Sequence, residues 1–192
     1  IASGPTTSTS LDGTAGGYLG ARLGVVKVKA GAAYTRHLIS TRRDIVFPGV
    51  NDTMTAMYRA GTLQGFVEVS TDLDAGAATI TPFGKIEGVH HATEGFTETG
   101  GAGALRTAPS TAAALFTTIG VGAEQDFVLS DTMAVTARGS VGWRHAFADQ
   151  VKVANSFAGG GPFSIGSAGI AADVIVVGTG ASVDIGERTS LD

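Results

Sequence analysis

The stretch Ala134-Val135-Thr136-Ala137-Arg138-Gly139-Ser140-Val141-Gly142-Trp143-Arg144-His145-Ala146-Phe147 decides the fold. Alternate residues Thr136, Arg138, Ser140, Gly142 and Arg144 are polar or small. Those between them, Val135, Ala137, Gly139, Val141, Trp143 and Phe147, are apolar or small. A β-strand, with its period of two, sends the two sets to opposite faces. On a soluble sheet the apolar face would cover a core. On an outer-membrane barrel it faces lipid, and the polar face lines the lumen.

The same alternation recurs along the chain. Strands are predicted at 14–23, 25–37, 56–73, 78–91, 115–129, 134–147 and 174–185, with 188–192 beginning another. Lys27, Lys29, Thr35 and His37 alternate with Val26, Val28, Ala30, Ala32 and Tyr34. Thr62, Gln64, Glu68, Ser70 and Asp72 alternate with Leu63, Val67, Val69 and Leu73. Lys85 and Glu87 oppose Ile86, while Thr118, Glu124 and Asp126 oppose Leu115, Ile119, Val121, Phe127 and Leu129. Each register puts charge on one face only. Phe66, Phe83 and Phe116 fall on the polar side and read as lumen packing.

Composition narrows the choice. Glycine reaches 29 of 192 residues and, with Ser and Thr, is scattered through nearly every apolar stretch, which disfavours helices. No run of 18 apolar residues occurs, so an ordinary membrane-spanning helix is excluded; a barrel is not, since alternation conceals its hydrophobicity. Cysteine is absent, removing disulfides, thiolate metal sites and a Cys nucleophile. A net charge of -4 argues against a nucleic-acid surface. The chain opens Ile1-Ala2-Ser3-Gly4 without a visible leader, so either one was removed or this is a piece of something longer.

The connections sort into two kinds. Tight links at Gly24, Asp74-Ala75-Gly76, Ser130-Asp131 and Gly186-Glu187 alternate with long ones at about 38–55, 92–113 and 148–173. Short turns therefore gather at one end of the sheet and long loops at the other, the outer-membrane arrangement of periplasmic turns and external loops. The long segments, rich in Gly, Ser, Ala and Thr, read as flexible surface loops. No linker divides the chain.

Several motifs invite other functions. Val174 to Ser182 is an apolar strand carrying Gly178-Thr179-Gly180, but the third glycine is missing, and the helix and the acidic residue of a dinucleotide site have no room before Asp192. His90 and His91 are adjacent, so a strand points them to opposite faces and they do not chelate one ion. No Gly-x-Ser-x-Gly elbow accompanies the Ser, His and Asp residues present. Neither a metal, a cofactor nor a catalytic residue is expected. Thr41-Arg42-Arg43-Asp44, just beyond a strand end, is a solvated loop cluster or a contact for lipopolysaccharide phosphates.

The polar registers predict lumen-lining roles for Lys27, Lys29, Gln64, Glu68, Lys85, Glu87, Glu124, Asp126, Arg138 and Arg144, with both signs pairing across a hydrated interior. A lipid-facing charge would cost about 2–4 kcal/mol near the midplane. Trp143 and Phe147 before a long loop, with Tyr34, are predicted as lipid-interface aromatics. Two other classes remain: a soluble β-sandwich or adhesin-like binding module, and a porin-like barrel.

At this point a family becomes visible. Thr136 to Phe147, followed by Phe157-Ala158-Gly159-Gly160, resembles the late strands of the autotransporter β-domain. Ala30-Gly31-Ala32-Ala33-Tyr34-Thr35-Arg36-His37, Phe47-Pro48-Gly49, Gln64-Gly65-Phe66-Val67-Glu68, Pro82-Phe83 and Gly95-Phe96-Thr97-Glu98-Thr99-Gly100-Gly101 are similar to it, in the family's order. The resemblance covers nearly all of residues 1–192. It implies an all-β, antiparallel up-and-down barrel of twelve strands in the bacterial outer membrane. This chain would supply seven to eight of them, with the early strands, passenger and last strands absent. It implies a translocator pore and anchor of type V secretion, a non-enzymatic one, whose partners are outer-membrane lipid and lipopolysaccharide, the outer-membrane assembly machinery and its own N-terminal passenger. Gly178 stands where that family usually has an acidic lumen residue. With so few strands, the chain alone is expected to be an open curved sheet, because unpaired edges are costly in lipid.

Overall fold

A computed structural model describes residues 5–101, 103–130, 133–148, 151–157, 160–185 and 189–191. It is all-β: β1 (Thr6–Leu23), β2 (Val26–Phe47), β3 (Val50–Thr71), β4 (Leu73–Asp74), β5 (Ala78–Thr93), β6 (Phe96–Thr97), β7 (Leu105–Thr107), β8 (Ser110–Ser130), β9 (Met133–Ala148), β10 (Lys152–Phe157), β11 (Pro162–Gly166), β12 (Asp173–Ile185) and β13 (Thr189–Leu191). The main sheet is an antiparallel meander in the order β1-β2-β3-β5-β8-β9-β12-β13, with β4 added to β5. It curls into a half-barrel and stays open, as the resemblance led us to expect.

Every predicted strand is present, but three are much longer than their alternation suggested. β1 begins at Thr6 rather than 14, and β2 and β3 run on through the segment assigned to a loop at 38–55. They form one hairpin that stays in register from Val26↔Thr71 to Phe47↔Val50 and turns on Pro48-Gly49. Pro48 presets the first turn residue and Gly49, at φ +89°, takes the left-handed second position that side chains resist. The extension was hidden because each of its faces mixes polar and apolar residues. Ile39, Thr41 and Arg43 face inward against Leu38, Ser40 and Arg42 outward, and without an apolar face no amphipathic signal exists.

The other two long segments are not irregular loops either. Parts of both pair into a second, four-stranded sheet in the order β11-β10-β7-β6. A Thr55↔Thr99 bridge ties this layer to the β2–β3 extension. Phe96 stacks on Tyr58 at 4.2 Å. The few buried apolar residues, Met54, Ala56 and Ala60, lie at this junction rather than at the centre of the main sheet. The tight links at Gly24 and at Asp74-Ala75-Gly76 are turns as expected, with Gly24 at φ +64°. Asp131, Gly186, Glu187, Arg188, Ala158 and Gly159 lie outside the described residues.

Candidate functional site

Register places each polar set on one face. Lys29 sits opposite Glu68, Glu68 opposite Lys85, Lys85 opposite Thr118 and Thr118 opposite Arg144, across β2, β3, β5, β8 and β9. This face is the less accessible one, with Ser70, Thr118, Thr136 and Ser182 buried, as crowding on the inside of a curled sheet requires. The other face carries Ile86, Ile119 and Val177 at 55%, 65% and 73% exposure. A soluble sheet would bury that face instead.

The inward charges pair closely, most of them across strands. Lys29 Nζ lies 3.3 Å from Glu68, and Arg138 Nε 2.7 Å from Glu124. Glu87 holds both Lys85 at 3.1 Å and Arg144 at 3.4 Å. Arg144 lies over the Phe116 ring at 4.0 Å, and Lys85 over Phe66 at 5.1 Å, so two of the three aromatics on the polar side serve as cation platforms. The Thr136 hydroxyl donates to Asp126 at 2.6 Å. Lys27 and Arg22 share Asp72 near the turn end. Gln64 faces inward, and its side chain makes no hydrogen bond among the described residues.

The aromatics lie on the opposite face, with Tyr34, Trp143 and Phe147 about half exposed. The Trp143 Nε1 donates to Asp173 at 3.0 Å, and the same oxygen lies 2.8 Å from His145 Nδ1. His145 in turn meets Phe147 edge-on at 4.5 Å. Four alternating residues of β9 and β12 thus make one aromatic and hydrogen-bonding cluster at the long-loop end.

Two groupings were not foreseen. A line of hydrogen bonds crosses four strands inside the curl: Asp12 to His37 Nδ1 at 2.9 Å, His37 Nε2 to Thr62 at 3.0 Å, and Thr62 to His91 Nδ1 at 2.8 Å. The polar registers already held His37 and Thr62, but Asp12 lay before the predicted start of its strand. His91 faces inward and His90 outward, as adjacency demanded.

The second grouping corrects the reading of the basic cluster. Arg43 turns inward and grips Glu98 of β6's loop through two nitrogens, at 3.2 and 2.5 Å, and also donates to the Gly103 carbonyl at 2.9 Å. Arg42 points outward but spends its charge on Asp44 at 3.3 Å. The Thr53 hydroxyl donates to Asp44 at 2.5 Å, and this bond with the nearby Arg42 holds that carboxyl below the ordinary range. The cluster therefore fastens the hairpin extension and has no free pair of cations for a phosphate. Among the described residues no group of three His, Cys, Asp or Glu could hold a metal. Nor is there among them a helix long and apolar enough to cross a membrane.

Comparison with known proteins fits this geometry. Residues 2–192 match the family model described as Autotransporter beta-domain. Two curated relatives from Serratia marcescens, each described as an extracellular serine protease, are similar. One is 33% identical over 152 residues, covering 73% of this chain and 14% of the relative. The other is 32% identical over 126 residues, covering 66% and 12%. The chain thus spans a small part of either relative, the part in which the family match falls. It belongs to the autotransporter β-domain family, the outer-membrane-embedded translocator and anchor module of type V secretion.

Proposed function

We propose that this chain forms the wall of an outer-membrane pore through which an N-terminal passenger is exported or displayed, and which then anchors it. The observation that carries the reading is the division of labour across the main sheet. Cross-strand ion pairs occupy the inner face, while large apolar side chains stand exposed on the outer one. Water in a lumen and hydrocarbon outside stabilise that division; the reverse medium would penalise both faces.

In this reading Lys27, Lys29, Gln64, Glu68, Lys85, Glu87, Glu124, Asp126, Arg138 and Arg144 line the lumen. Tyr34, Trp143 and Phe147 mark the outer interface. The small sheet β11-β10-β7-β6 sits at the external end. Residues 1–192 lie within one β-domain, and closure of the wall needs pairing partners for the edges β1 and β13. Insertion draws on the outer-membrane assembly machinery. The chain is assigned no catalytic residue; the protease activity in the relatives' names belongs to those proteins.

The test uses the complete protein that contains this domain. Detergent dependence, heat-modifiable gel migration and passenger exposure on intact cells are the expected results. A water-soluble monomer with native migration in the absence of detergent would refute the reading.

A further inference from the structure

The outer face should be free of charge where it meets hydrocarbon, and for most of its height it is. On β5 the outward residues Ile80, Pro82, Gly84, Ile86 and Gly88 run up to His90. At roughly 3.3 Å per residue and a tilt near ~40°, that is about 25 Å, the height of an apolar band. His90 stands level with Leu63 of β3 and Tyr34 of β2. One step higher is the row Arg36, Gly61, Ala92. Another step up, Leu38 faces Arg59, whose carbonyl accepts the Glu94 amide.

Charged residues appear here because the hydrocarbon has ended, and their arrangement is specific. Tyr34, Arg36, Arg59 and His90 surround a depression of about 610 Å³ whose floor is made by the small residues Gly61 and Ala92. The phenol leans up over Gly61: a Cβ there would lie 2.6 Å from the Tyr34 hydroxyl. None of the four polar side chains makes a hydrogen bond or ion pair among the described residues. Of the other described lysines and arginines, all but Arg106 and Lys152 do. Among the described residues Glu94 is the one acidic group on the rim, and it lies beyond ion-pair distance of Arg59.

We infer that this depression is a binding site for the phosphorylated saccharide headgroup of an outer-leaflet glycolipid of the lipopolysaccharide type. Two guanidiniums offer planar, paired donors suited to phosphate. The tyrosine hydroxyl and the His90 ring add hydrogen bonds at the sugar level. The space exceeds what a bare phosphate needs. Its place fits the ligand: acyl chains would lie below against Leu63 and Ile86, with the headgroup above.

The inference rests on the membrane-embedded reading. Protein that is soluble without detergent would sink that reading, whereas the outcomes below bear on the site alone. The complete protein, purified in detergent, is equilibrated with lipopolysaccharide, with dephosphorylated lipopolysaccharide, with phosphatidylglycerol and with inorganic phosphate, and bound lipid is counted by native mass spectrometry. Arg36→Gln with Arg59→Gln is expected to weaken lipopolysaccharide binding tenfold or more while heat-modifiable migration persists. Ala92→Trp, which fills the depression and leaves both arginines, should weaken it similarly. Dephosphorylated lipopolysaccharide should bind wild type as weakly as the double variant. Undiminished binding by the folded variants would overturn the site. Displacement of lipopolysaccharide by phosphatidylglycerol at equal phosphorus, or by inorganic phosphate at millimolar concentration, would overturn it as well, by reducing it to an unselective anion patch.

Discussion

Replacing Glu98 by Ala is expected to release the small sheet from the mouth of the half-barrel. Glu98 is 8% exposed and accepts three hydrogen bonds, two from Arg43 and one from the Leu105 amide at 2.9 Å. Charge-assisted bonds contribute about 1.5–3 kcal/mol each, and orphaning one member of a buried ion pair costs about 3–5 kcal/mol. The Arg43 side chain is 26% exposed, so water relieves part of its loss and the low end applies. A cost of about 3 kcal/mol corresponds to roughly a hundredfold rise in the undocked fraction. The readout is amide exchange at Thr55 and Thr99, whose reciprocal backbone bonds, both 2.9 Å, bridge the two sheets. Both should exchange about a hundred times faster, with the amides of Val67 and Ile86 unchanged. Arg43→Ala should be at least as severe, because it orphans the more deeply buried partner. Unaltered exchange at Thr55 and Thr99, or equal acceleration everywhere, would refute the latch.

Other perturbations follow from the same geometry. Ile86→Lys places a charge midway up the outer face and should cost about 2–4 kcal/mol of folding free energy in lipid, read by urea titration of the complete protein in vesicles; a change below measurement would count against the lipid-facing assignment. Gly120→Val should block assembly, since even a Cβ there would meet the Phe83 ring at 2.6 Å and the Val141 carbonyl at 2.7 Å; surface display at wild-type level would contradict it. Arg144→Ala removes the cation held between Glu87 and Phe116, and should shift single-channel ion selectivity of the pore toward cations. Because the Asp44 carboxyl titrates below its ordinary 3.8, its bonds to Thr53 and Arg42 favour the hairpin tip above that value and are lost as acid protonates it. Proteolysis at the tip should therefore rise below about pH 4, and Asp44→Asn should abolish that dependence.

How much was legible in the sequence depended on the medium against each face. Where one face meets hydrocarbon and the other meets water, alternation is enforced residue by residue. Arg138 and Trp143 could therefore be assigned to opposite sides without coordinates. Above the band that contrast disappears. Residues 38–55 have polar side chains on both faces, so a two-residue turn at Pro48-Gly49 looked like part of an irregular loop. The strands of the small sheet are two to six residues long and carry no periodicity to detect.

The sequence by itself determined the strand identity, the inner and outer registers and the family. The first two follow from a period of two and from local residue choice, and the family from the ordered motifs that resemble it. Only the tertiary structure decided who pairs with whom across the curl. It showed Arg43 committed to Glu98, 55 residues away, and the Asp12, His37, Thr62 and His91 line crossing four strands. It also set Arg36 and Arg59 beside Tyr34 with no partner among the described residues. Pairing over such distances depends on stagger between strands and on how the loops fold back. A one-residue slip would change every partner, and alternation within a single strand does not report stagger.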